Sequence, residues 1–181
     1  MNIIQTAIPE VLIIKPQTFA DQRGFFYESF NARRFANLTG LTTNFVQDNV
    51  SRSHHNVLRG LHYQVQKPQG KLVQVMAGEI FDVAVDLRQS SPTFGLWIGT
   101  TLSAANRLQH WIPPGFAHGF LVTSFSADVL YKSTCYYEAQ YERIIHWRDA
   151  VIGIQWPLQG QPVLSFKDLQ AGLFENSELF V

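Results

Sequence analysis

The sequence predicts an all-β domain, and three observations lead there. Apolar residues recur at every second position through most of the patterned segments. Glycine and proline interrupt the chain at short intervals, and only two stretches carry the spacing of a helix. At 181 residues the chain suits one domain with one core, large enough to fold without a disulfide or metal staple. Many short strands, Gly/Pro turns and few helices point to a sandwich or a barrel.

In chain order, residues 11–15 (VLIIK) and 25–30 (FFYESF) read as strands, the second after a turn at Gly24. Residues 31–38 (NARRFANL) form the first predicted helix, stopped at Thr39-Gly40. Strand patterns follow at 45–51 (FVQDNVS) and 57–64 (VLRGLHYQ). Segments 72–76 (LVQVM) and 79–87 (EIFDVAVDL) are joined by Ala77-Gly78, a hairpin signal. In the second of these, Phe81, Val83, Val85 and Leu87 share one face while Asp82 and Asp86 flank Ala84 on the other, the pattern of a half-buried strand. Residues 96–102, 107–112 (leading into Pro113-Pro114), 118–123 and 128–137 complete the strands, and a short second helix is expected around 167–173.

Lys and Arg number 14 against 14 Asp and Glu, so no overall field favours nucleic acid or an anionic membrane, and neither is expected as a partner. Cys135 is the only cysteine, which rules out an intrachain disulfide and any thiolate cluster. The N-terminal residues lack a signal-peptide pattern, and no run approaches the ~18 apolar residues of a membrane span. A soluble, cytoplasmic protein is expected.

Three segments carry candidate chemistry. Arg59, His62 and Lys71 lie within thirteen residues of a predicted hairpin region, with Gly60 and Gly70 allowing close backbone approach. They fit either a solvent-facing basic hairpin or a site that handles a carbonyl, in which histidine removes a proton and Lys71 steadies an oxyanion. His118, in Pro113-Pro114-Gly115-Phe116-Ala117-His118-Gly119-Phe120, sits among apolar neighbours and reads first as a hydrogen-bonded core residue, with Asp82 or Asp86 as partner. On an unbroken strand Tyr131, Ser133, Cys135 and Tyr137 share a face. Its two tyrosines either fill a barrel interior or supply a proton and a stacking surface. Glu142 and Arg143 follow in an expected loop as a solvated pair. No H-x-H motif follows His62, and the adjacent His54 and His55 would point to opposite faces of a strand, so no metal is expected.

Asp21-Gln-Arg23-Gly24-Phe25-Phe26-Tyr27-Glu28, Gln47-Asp-Asn49-Val-Ser51, Val57-Leu-Arg59-Gly-Leu-His62-Tyr-Gln64, Gln69-Gly-Lys71-Leu-Val, Asp82-Val-Ala-Val-Asp86-Leu-Arg88, Ser91-Pro-Thr-Phe-Gly95, Pro114-Gly-Phe-Ala-His118-Gly-Phe, Leu130-Tyr131-Lys132 and Leu164-Ser-Phe-Lys167-Asp168 occur in that order. Together these motifs, from about residue 3 to residue 170, resemble the dTDP-4-dehydrorhamnose 3,5-epimerase family. The resemblance implies a jelly-roll (cupin-like) barrel with a few short peripheral helices that works without metal or other cofactor. One domain would span 1–181, with its jelly-roll core at about 45–155, N-terminal strands exchanged within a homodimer, and a C-terminal helical tail. The implied substrate is a dTDP-4-keto-6-deoxyhexose, epimerised at carbons 3 and 5 on the way to dTDP-L-rhamnose.

Carried over by position, His62 resembles the family's base, Asp168 its orienting carboxylate and Tyr131 the acid on the opposite side of the sugar. Arg59, Lys71 and His118 match positions lining the sugar pocket. Arg23, Glu28, Gln47, Asn49, Glu142 and Lys167 match nucleotide- or sugar-contacting positions, while Phe26 and Tyr137 match the aromatics that hold thymine. The N-terminal members of the set would come from a partner subunit. Asn56 stands where the family commonly has glycine; if that position needs a positive φ, asparagine is the next most tolerant residue. A regular strand would send Arg59 and His62 to opposite faces, so both enter one pocket only if a bulge near Gly60 or a long reach by Arg59 reconciles them. A carbon-3-only epimerase and a nucleotide-sugar-binding barrel without turnover are the alternatives. A metal-dependent cupin oxygenase is disfavoured by the missing histidine pattern.

Overall fold

A computed structural model describes residues 1–181. Its strands are β1 (Asn2–Gln5), β2 (Leu12–Lys15), β3 (Thr18–Asp21), β4 (Gly24–Tyr27), β5 (Gln47–His54), β6 (Leu58–Gln64), β7 (Lys71–Ala77), β8 (Glu79–Asp86), β9 (Trp97–Ser103), β10 (Gln109–Ile112), β11 (Phe116–Val122), β12 (Ser126–Ser133) and β13 (Glu142–Ile144). Two short α-helices, α1 (Ala32–Thr39) and α2 (Phe166–Leu169), and single 3-10 turns at Ala139–Tyr141 and Phe174–Asn176 complete the regular elements. One sheet runs β1-β2-β10-β7-β12-β5, a second runs β13-β6-β11-β8-β9, and β3 and β4 form a separate hairpin. From β5 onward the chain changes sheet at almost every connection, which is the jelly-roll arrangement expected. No helix is long and apolar enough to cross a membrane.

The two sheets enclose the main core, built from Val73, Val75 and Val129 on one side and Ile80, Phe116, Phe120 and Val122 on the other. The outer face of the six-stranded sheet is also covered, where Phe35 of α1 packs edge-on against Trp111 beside Leu12, Ile14 and Leu72. α1 begins where Asn31 accepts the Arg34 amide and stops at Gly40, whose φ of +73° closes the last turn onto Ala36. Beyond β13 the chain lies along the outside of the five-stranded sheet, seating Ile152 and Phe174 against Val83, Val85 and Leu87.

Three local expectations are corrected. Ala77-Gly78 does not turn a hairpin: β7 pairs with β10 and β12, β8 with β9 and β11, so Gly78 is the corner where the chain passes between sheets. There a Cβ would lie 1.9 Å from the Ser126 carbonyl oxygen, and φ is +78°. β6 and β7 are likewise in different sheets and not one basic hairpin. β8 is not half-buried, because the C-terminal segment covers its Val83/Val85 face while Asp82 and Ala84 sit inside the barrel with no exposure.

The segment expected as a strand to residue 137 leaves the sheet after Ser133, and the second helix occupies only Phe166–Leu169. β1, β3 and β13 carried no alternating apolar signal, being three or four residues each, the first two mostly exposed and the third half-buried throughout. Asn56 has φ +63°, the conformation anticipated for it, and its amide donates to the Gln159 and Gln161 carbonyls.

Candidate active site

One end of the barrel opens into a cavity of about 500 Å³ whose walls come from both sheets and from the α2 segment. Gln47 and Asn49 line it from β5, Arg59 and His62 from β6, Lys71 from β7, His118 from β11, Tyr131 from β12 and Glu142 from β13. Tyr137 and the pair Lys167 and Asp168 complete that part of the predicted set. Lys71 and Tyr131 therefore stand on the sheet opposite His62 and His118.

Arg59 and His62 reach the same cavity through a bulge. His62 pairs with His118 and Arg59 with Phe120, so three steps along β6 oppose two along β11. Gly60 takes φ +115°, and a Cβ there would lie 2.6 Å from the Gly119 Cα; only facing glycines let the strands approach this closely. Arg59 is steadied by its Nε–H donating to Ser53 Oγ at 3.1 Å.

His62 Nε2 lies 2.6 Å from Asp168 Oδ1. The Asp168 side chain is almost wholly buried. Burial alone would raise its pKa, but hydrogen bonds from His62, Ser165 and the Gly60 amide outweigh that and hold it below the ordinary value. An ionised Asp168 can only accept, so the ring's Nε2–H donates to it and Nδ1 keeps the free lone pair.

His118 has a comparable partner. Its Nε2 is 2.7 Å from Asp82 Oδ1, and the other Asp82 oxygen is 2.8 Å from His110 Nδ1 on the opposite sheet. Of the two aspartates left open for His118, the fold selects Asp82; Asp86 binds Arg88, Ser91 and Thr93 instead. Burial is the main cause of a lowered His118 pKa, offset in part by Asp82, so the ring stays neutral.

Lys71 is buried and its pKa is pushed down to about 8 by loss of hydration, against the pull of Asp82 and Glu142. Burial raises the Tyr131 pKa above its ordinary 10, with nearby Arg59 opposing, so the phenol keeps its proton at neutral pH. At the mouth, Lys167 Nζ donates to both Glu142 oxygens at 2.9 Å and the Tyr137 hydroxyl donates to Glu142 at 3.1 Å. Glu142 is thus a strand residue facing the cavity, not half of a solvated pair with Arg143, which bonds Glu178 instead.

Arg23, Phe26 and Glu28 are not brought to this cavity. They belong to the β3–β4 hairpin and its exit, where Arg23 pairs with Asp21, Glu28 meets Arg34 and Asn31, and Phe26 is 69% exposed. The residue-by-residue reading missed Ser51 and Ser53, which extend the Gln47/Asn49 face of β5 at the same period of two, and Ser165, which bonds Asp168. The alternation itself could have flagged the first two. Ser165-Phe-Lys-Asp168 has the spacing of a helix cap, but its bond to the carboxylate is visible only in the folded chain.

The model of the family described as dTDP-4-dehydrorhamnose 3,5-epimerase matches residues 5–176. The chain belongs to this family. A dTDP-4-dehydrorhamnose 3,5-epimerase from Pseudomonas aeruginosa is 53% identical over 180 residues, 99% of either chain. Among solved structures, the dTDP-6-deoxy-D-glucose-3,5-epimerase of Legionella pneumophila Philadelphia 1, in complex with dTDP-4-keto-L-rhamnose, superposes with a TM-score of 0.96 at 56% identity, covering 98% of this chain and 94% of that one. A more distant epimerase relative, the dTDP-4-dehydrorhamnose 3-epimerase of Streptomyces niveus, is 37% identical over 98% of this chain and 86% of its own.

Proposed function

We propose that the chain converts dTDP-4-dehydro-6-deoxy-D-glucose into dTDP-4-dehydro-L-rhamnose by epimerising carbons 3 and 5. The observation that carries this is the His62–Asp168 pair lining a cavity with Tyr131 and Lys71 on the opposite wall. A ketone at carbon 4 acidifies the hydrogens on both neighbouring carbons, because either carbanion delocalises onto the ketone oxygen. His62 Nδ1 removes the proton, and the ionised Asp168 stabilises the imidazolium that results. The Lys71 ammonium faces the oxygen on which the charge develops. Tyr131 returns a proton to the other face of the carbon, inverting it.

Arg59, Lys167 and Arg23 supply cations for the diphosphate, and Gln47, Asn49 and Glu142 supply polar partners for the sugar and nucleotide. Tyr137 and Phe26 hold the thymine ring between them. Arg23, Phe26 and Glu28 serve a neighbouring subunit's cavity in a homodimer, and the exposure of Phe19, Phe25 and Phe26 on the β3–β4 hairpin supports that exchange. Residues 1–181 act as one catalytic domain, with the jelly-roll core at about 45–155. An unpaired Cys135 suits a reducing cytoplasm. The higher identity to double epimerases than to the carbon-3 enzyme favours reaction at both carbons.

The test is proton NMR of the substrate incubated with the protein in heavy water. Deuterium is expected at carbons 3 and 5; label at carbon 3 alone would reassign the chain as a single epimerase. His62→Ala is expected to abolish exchange while leaving dTDP-sugar affinity within about tenfold. Normal exchange by that variant would remove His62 from the base role.

A further inference from the structure

Asp168 is held from two sides. Its Oδ1 meets His62, and its Oδ2 accepts a hydrogen bond from Ser165 Oγ at 2.6 Å. The same Ser165 oxygen accepts the Asp168 amide at 3.2 Å as the cap of α2. One hydroxyl thus fixes both the backbone and the carboxylate of the residue that orients the base.

Lys167 adds an ion pair to Glu142, but the turn is otherwise lightly held. α2 has four residues, too few to be stable alone, and its apolar side chains Phe166 and Leu169 are 75% and 61% exposed. Asp168 is the only residue of α2 that is buried. The segment leading into Ser165 is bound to the start of the strand that carries His62, since the Leu58 amide donates to the Val163 carbonyl and the Val163 amide to that of Asn56. Ser165 stands at the end of this stitched segment, so its hydroxyl and the Gly60 amide together tie the carboxylate that must meet His62 to β6.

We propose that Ser165 is a positioning residue for proton abstraction, locking the Asp168 carboxylate against His62 so that Nδ1 is presented to the substrate as the unprotonated nitrogen. This rests on His62 being the base, as proposed above. Without the serine only the Gly60 amide opposes rotation of the carboxylate about its Cβ–Cγ bond, and each rotation away from His62 removes the bond that sets the tautomer.

Ser165→Ala and Ser165→Thr are compared with the parent chain and with His62→Ala. Ser165→Ala is expected to lower kcat on the order of tenfold, the loss of one hydrogen bond to a charged group, with KM and dTDP affinity unchanged. Ser165→Thr, which keeps the hydroxyl, is expected to return kcat to within about threefold of the parent. The low-field proton resonance of the His62–Asp168 hydrogen bond should weaken in the alanine variant and persist in the threonine one. Parent-like kcat in Ser165→Ala, or equal changes in kcat, KM and melting temperature that threonine does not rescue, would overturn the inference. If His62→Ala is inactive and Ser165→Ala is normal, only the positioning role fails; if His62→Ala turns over normally, the base assignment fails and this inference with it.

Discussion

Raising the pH through 8 should switch off Lys71 and leave the rest of the site in place. Its ammonium has an ordinary pKa of 10.5 and is pushed down to about 8 by burial, which means the fold disfavours the charged form by roughly 3 kcal/mol. At one pH unit above that value only about a tenth of the molecules carry the charge that the oxyanion needs. The profile of kcat/KM should therefore fall about tenfold per unit above pH 8, since that ratio reports the free enzyme. Tyr131 does not cause this limb, because its pKa lies above 10. Stability moves the other way. The folded pKa lies below the unfolded one, so the full cost is present below pH 8 and is relieved as pH rises from about 8 toward 10.5. Lys71→Met removes that cost and should raise urea stability at pH 7 by roughly 1–3 kcal/mol, while lowering kcat by two orders of magnitude or so. The assays are NMR turnover from pH 6 to 9.5 and urea midpoints at pH 7. A flat alkaline profile in the parent, the same alkaline limb in Lys71→Met, or a less stable variant would refute the assignment of charge to this amine.

Two other substitutions probe separate links. Tyr131→Phe should slow net epimerisation at least tenfold more than it slows hydrogen exchange with solvent, because abstraction by His62 survives loss of the acid; equal losses in both would take Tyr131 out of the proton-return step. Asn56→Ala should cost about 1.5–3 kcal/mol, combining strain at φ +63° with two lost hydrogen bonds to Gln159 and Gln161, whereas Asn56→Gly keeps the backbone conformation and should cost about 1 kcal/mol with activity intact. Equal urea midpoints for the two variants would show that φ is not what asparagine serves there.

Much of the fold could be read before the structure. Val73, Val75, Val83 and Val85 alternate as strand residues must, and Asn31 and Gly40 mark the ends of the one substantial helix. Pairing was another matter. Ala77-Gly78 has hairpin chemistry, yet β7 finds its neighbours β10 and β12 thirty or more residues further on, while β8 pairs with β9 and β11, so the two never meet as a hairpin. The local pattern is identical for a hairpin and for a corner between sheets. What differs is the Ser126 carbonyl packed beneath Gly78, a long-range contact no window of sequence contains. The site divides the same way. His62, Lys71 and Tyr131 could be singled out as chemistry-bearing residues, while Asp168 came only through resemblance to a family, more than a hundred positions from its partner.

By itself the sequence determined most of the segments that become strands, which side chains can carry or move a proton, and that any positive φ at position 56 is tolerable, because these follow from local sterics and from the groups' own chemistry. The tertiary structure decided the rest. It chose Asp82 over Asp86 for His118, bulged β6 so that Arg59 and His62 share a cavity, set Lys71 opposite His62 and lowered its pKa, and left Arg23, Phe26 and Glu28 on a hairpin outside the chain's own cavity. Each of these depends on how two sheets close over one another, and burial and proximity across that closure are properties of the packed chain that no single stretch of residues possesses.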